Sequence, residues 1–121
     1  SSNDINNKDT QSSNNAKLQR DRLVNVLGHS AEKLARRMRK PFLVMKGMPK
    51  SFSDRETQIR ERTAVHHTLD QARAVVDNFA SWAKFEVETN PLETIMGALR
   101  SANEKQCIDY LNSQLRLSST R

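Results

Sequence analysis

Apolar side chains recur along this chain at intervals of three and four residues, interrupted in a few places by proline, glycine or a polar cap. Between Ala16 and Lys40, Leu23, Leu27, Ala31, Leu34 and Met38 form one stripe, with Val24 and Ala35 beside it. That spacing predicts an amphipathic helix with one face in the core. Asn14 or Asn15 can cap its start, and Pro41 ends it by removing a donor and restricting the backbone of Lys40. Gly28 is its weak point: an interior glycine costs about 1 kcal/mol relative to alanine and marks a place for a kink between two shorter helices.

Residues 41–52 lose this period. Phe42, Leu43, Val44, Met45 and Met48 are apolar without helical spacing, and Gly47 and Pro49 punctuate the run. An irregular connector of this kind either plugs the open end of a helical bundle or presents its Phe and Met side chains to a partner.

Ser53 and Glu56 make a capping-box pair, which predicts a helix start at 53. Beyond Ile59, residues Val65, Leu69, Ala72, Val76, Phe79 and Ala83 alternate at spacings of four and three, and Val75, Trp82 and Phe85 widen the stripe. A face so broad is touched from two sides, by neighbours in the fold or by a second copy of the chain. Unbroken to Val87 the helix would be about 50 Å long at 1.5 Å per residue. A bend near Ala80-Ser81, or a projecting segment that dimerises, is therefore expected.

Asn90, Pro91 and Glu93 supply a cap, a proline at the first helical position and an acid in the first turn. Leu92, Ile95, Met96 and Leu99 then form the buried side of a short helix. Ser101 and Glu104 offer another capping box before Cys107, Ile108, Leu111, Leu115 and Leu117. The expected architecture is a single all-α domain over 15–117, a small bundle of about four helices (16–40, 53–87, 91–101 and 104–116) paired mostly antiparallel. A disordered Ser/Asn-rich arm (1–14) precedes it, and a frayed tail (118–121) follows.

Composition narrows this picture. The 121 residues suit one domain; with 36% hydrophobic and 5% aromatic residues, the core must be mostly aliphatic, and three Gly and three Pro leave few turns for a sandwich or barrel. No window is long and apolar enough to cross a bilayer. The lone Cys107 cannot form an internal disulfide, which points to an intracellular setting, cytoplasmic or nuclear.

Charge changes it most. Residues 17–50 hold ten Lys or Arg against two acids, an excess larger than the whole-chain +6. On the predicted first helix, Arg22, Lys33, Arg36, Arg37 and Lys40 project opposite the apolar stripe, and Lys46 and Lys50 extend the set. A segregated positive field of this kind draws polyanions or an acidic protein face.

Catalytic chemistry is sparse. His66 and Asp70 sit one turn apart, a chelating spacing, but two side chains are too few for a structural zinc site. Cys107 occupies a core-facing position with no base nearby in sequence. Glu86, Glu88 and Glu93 read as ordinary surface or as a complement to a basic face. No phosphate-binding glycine loop, dinucleotide fingerprint or serine-hydrolase elbow is present. The expectation is a protein that is not an enzyme, with no metal, no cofactor and no small-molecule substrate.

Two functions remain. In one, the basic face contacts nucleic-acid phosphates without reading bases; the sequence offers no exposed aromatic platform to stack bases, so single-strand specificity is not expected. In the other, the domain serves protein–protein interaction or self-assembly, including a homodimer, through the 65–83 seam and the connector, with Phe42, Met45, Met48, Val75 and Trp82 as contacts. A helix-turn-helix use of 91–117 is disfavoured, because Glu104 and Asp109 would approach phosphates. The run from Arg36 to Pro41 also resembles an import signal, though it falls inside a helix.

Overall fold

The computed structural model describes residues 2–119, and for residues 2–14 and Ser53 the backbone alone. Among the described residues the chain is all helix, with no strand: α1 (Ser2–His29), α2 (Ala31–Arg37), α3 (Pro41–Lys46), a 3-10 turn (Lys50–Phe52), α4 (Ser53–Thr63), α5 (Thr68–Phe85), α6 (Pro91–Ser101) and α7 (Lys105–Ser119). No described helix is long and apolar enough to cross a membrane.

The all-α class holds, but seven α-helices replace the expected four. The predicted first helix divides at Ser30, two residues beyond Gly28. Its backbone ladder survives the bend, since Ser30 N–H donates to the Val26 carbonyl and Leu34 N–H to that of Ser30, both at 2.8 Å. The stripe Leu23, Leu27, Ala31, Leu34 and Met38 is buried throughout. The described backbone of α1 is helical from Ser2. At the other end α7 runs through Ser119, so Ser118 is helical, while Thr120 and Arg121 lie outside the described residues.

Pro41 ends one helix and also opens the next. Its fixed φ and missing donor suit the first position of α3, so half of the expected irregular connector is helical. Val44, Met45 and Phe52 are buried there. Phe52 meets the Phe79 ring at 5.5 Å and the Trp82 ring edge-on at 6.3 Å, and burial of one such side chain is worth about 2–3 kcal/mol. The connector therefore plugs the core. Gly47 lies so close to α6 that a Cβ there would stand 2.9 Å from the Ala98 Cα.

The long helix expected over 53–87 breaks at Ala64–His67, not at Ala80-Ser81. Gln71, in the first turns of α5, sends its side-chain amide back to the carbonyls of Thr63 (3.0 Å) and His66 (3.2 Å), which satisfies the end of α4. Val65 falls in this turn at 94% exposure, outside the seam it was expected to join. Ser53 is the first helical residue rather than the cap, and Glu56 pairs with Arg60 at 3.1 Å. Of the other seam positions Ala72, Val76, Phe79 and Ala83 are core and Leu69 is half-buried against it, because α5 is the central helix, packed by α1, α2, α3, α4 and α6.

Candidate functional site

The expected cations do not form one face. α2 is seven residues long, with Ala31, Leu34 and Ala35 buried, and it packs on both α5 and α7. Its charged side chains therefore divide between two neighbours. Toward α5, Arg36 meets Glu32 at 3.2 Å, the second Glu32 oxygen accepts from Arg73 at 3.0 Å, and Arg73 bonds Asp77 at 3.1 Å. The Asp77 carboxylate, by hydrogen bond and charge, raises the Arg73 pKa above its ordinary value; Glu32 adds to this and burial opposes it. Two arginines and two acids thus cancel in an exposed chain, and Arg36 contributes no net field.

Toward α7 the arrangement differs. His29, Lys33 and Arg37 recur every four residues along one side and line a groove of about 550 Å³ whose opposite wall is Tyr110, Gln114 and Ser118 of α7. The Arg37 guanidinium lies 4.2 Å from the centre of the Tyr110 ring and donates to the Lys33 carbonyl at 2.7 Å, which fixes the plane of the side chain. Val26 contributes apolar surface, and no carboxylate lines the groove. Ser30 reaches Gln114 across it at 3.4 Å. Tyr110 and Gln114 carry no signal in the sequence, since α7 meets α2 only in the fold. His29 did have one: its spacing to Lys33 repeats that of Lys33 to Arg37.

Of the remaining expected contacts, Arg22 is half-buried on α1, while Lys40, Lys46 and Lys50 are exposed along the α2–α3 corner, α3 and the 3-10 turn. Among the described residues no carboxylate oxygen lies within 4.0 Å of the side-chain nitrogens of Lys33, Arg37, Lys40 or Lys46.

Two acids are turned inward onto backbone amides. Glu104, 4% exposed, does not turn back to Ser101 as a capping box would; it accepts the Arg39 N–H at 2.9 and 3.1 Å and the Lys40 N–H at 2.8 Å. It sits just before α7, where its own carbonyl accepts from Ile108 at 3.1 Å. The preceding Asn103 takes φ 57°, a left-handed conformation that asparagine tolerates, and so closes α6. One carboxylate thereby joins the α2–α3 corner to the α6–α7 corner. Glu86 is likewise withdrawn from the acidic surface expected of it. It accepts the Ser51 hydroxyl and the Glu88 N–H, each at 3.0 Å, and Ser51 in turn accepts the Trp82 indole N–H at 2.8 Å. The Glu88 amide holds the Glu86 carboxyl below its ordinary range against the opposing effect of burial, with Ser51 and the amides of Val87 and Thr89 assisting.

The expected protein contacts are differently placed. Met45, Val75 and Trp82 are buried in the core and offer no surface, while Phe42 and Met48 are half-buried, Phe42 beneath the Arg60 guanidinium at 4.6 Å. Cys107 is fully buried with Sγ 3.8 Å from the Leu34 carbonyl. Burial, with Glu104 adding, pushes its thiol up to about 12 against the pull of Arg37, so it stays protonated. His66 and Asp70 lie exposed in a shallow depression with Arg62 and Arg73, and among the described residues no three His, Cys, Asp or Glu side chains gather as metal ligands. Comparison with known protein families, with curated proteins and with solved structures finds no match for this chain.

Proposed function

We propose that the protein is a non-enzymatic binding module that contacts nucleic-acid phosphates, without reading base sequence, through Lys33, Arg37, Lys40 and Lys46. One observation carries this reading. Among the described residues none of these four side chains is ion-paired to a carboxylate, and Glu104, the acid at the α2–α3 corner, is turned inward onto the Arg39 and Lys40 backbone amides. Lysine and arginine donors held on helices and free of ion pairs release counterions when phosphates replace solvent.

The test is a salt titration with mixed-sequence duplex DNA. Each neutralised phosphate contributes about −0.9 to the slope of log K against log salt, so four contacts give a slope of about −3 to −4. Scrambling the sequence leaves affinity unchanged. A binding constant that holds steady from low to moderate salt removes the proposal.

A second reading, docking of another protein, is favoured by Phe85 and Val87, exposed at 71% and 77% on either side of Glu86. Sedimentation of the wild-type chain and of Phe85→Ser, Val87→Ser measures its self-association form: a concentration-dependent dimer lost in the variant supports it, and a monomer at every concentration rules that form out.

A further inference from the structure

We infer that the groove between α2 and α7 takes a segment of single-stranded nucleic acid, with a base lying against the stacked Arg37–Tyr110 pair and the adjoining phosphates on Lys33 and His29. The inference rests on the phosphate-contact reading above and names its substrate class.

On the sequence alone no exposed aromatic platform accompanies the cations of the first helix, which argues against stacking; the fold reverses that argument. Tyr110 arrives from α7, some seventy residues later, and lies under Arg37 at 4.2 Å. Arginine planes and aromatic rings are the surfaces on which unpaired bases stack without regard to sequence. Both members of the pair line the groove, as do two further nitrogen-bearing side chains, His29 and Lys33. Its volume of about 550 Å³ falls in the range that encloses a small ligand. A duplex keeps its bases paired inside a broad cylinder, so it can touch the rim cations but cannot insert a base; a single strand can do both. The absence of any acid in the lining, together with Gln114 and Ser118 as neutral hydrogen-bonding groups, suits an anionic polymer with polar base edges.

The experiment uses the full chain with fluorescein-labelled oligo-dT, a mixed-sequence duplex of the same length and a poly-glutamate peptide, all at one salt concentration. Three variants are compared with the wild type. Arg37→Lys keeps the charge and removes the planar stack, Tyr110→Leu removes the ring, and Tyr110→Phe keeps it; circular dichroism establishes that each folds. Arg37→Lys and Tyr110→Leu are expected to weaken oligo-dT by about tenfold with an unchanged salt slope, to leave duplex binding within about twofold, and to be matched by wild-type behaviour in Tyr110→Phe. If oligo-dT and duplex respond alike to all three, or only the duplex binds, the groove inference falls and the phosphate reading stands. If poly-glutamate binds as tightly as oligo-dT, the groove is an acidic-peptide site and the inference is overturned. If neither nucleic acid binds, both readings go. Tyr110 is the only tyrosine in the chain, so its ring resonances give a direct check: they move on adding oligo-dT and stay still on adding duplex.

Discussion

Arg36 and Arg37 are consecutive residues of one short helix, and the fold gives them opposite roles. Arg36 turns toward α5 and is cancelled in the Glu32–Arg73–Asp77 chain; Arg37 turns toward α7, stacks on a ring and keeps its charge. A helix rotates about 100° per residue, so the two side chains are assigned to different neighbours. The count of basic residues in a segment is thus a poor guide to its field. What matters is which helix stands beside each cation and what that helix carries.

The sharpest way to break this contrast is to loosen α2 itself. Glu104→Ala removes the acceptor shared by the Arg39 and Lys40 amides, and leaving partly buried donors unsatisfied destabilises by about 2–3 kcal/mol. Denaturant unfolding measures this. Alkylation of Cys107, which is buried against Leu34, should rise in parallel as the corner opens. Glu104→Gln, which retains an acceptor, should lose less.

The pair can next be compared directly. Arg37→Ala should weaken polyanion binding and flatten the salt slope by about one contact, whereas Arg36→Ala should leave the slope intact and change stability by less than about 0.5 kcal/mol, as exposed ion pairs do. Equal effects from the two substitutions would mean that the neutralising chain does not form in solution. The smallest expected effect lies with the other inward acid. Because the folded-state pKa of Glu86 is lowered from 4.5, its contribution to stability is complete above that pH and is lost as the pH falls through the lower folded value. Glu86→Gln should flatten that part of the acid limb of the stability curve.

Local signals in the sequence were legible wherever local groups make the structure. Asn90 accepts the Leu92 and Glu93 amides at 3.1 and 3.3 Å, as its position before Pro91 implies, and the spacing of Leu23 through Met38 names a set of residues that is buried in full. Where the determining partner lies far along the chain, the sequence is silent. Glu104 finds its amides sixty-five and sixty-four residues earlier, and no motif encodes that a ring at 110 sits beneath a guanidinium at 37. The break after Thr63 stands between these cases: Gln71 is near enough to cap it, but a glutamine one helix onward has no recognised stop signature. The cationic half of the candidate groove was readable from spacing, and its α7 wall was not.

The indole of Trp82 is the chain's sole tryptophan, shielded from water and hydrogen-bonded to Ser51. It does not line the groove. Its emission is therefore an intrinsic optical gauge: blue-shifted while the 3-10 turn is seated on α5, red-shifted on unfolding, and steady when a ligand fills the far cleft. A fluorescence spectrum recorded alongside each titration would separate a variant that has lost affinity from one that has lost its shape.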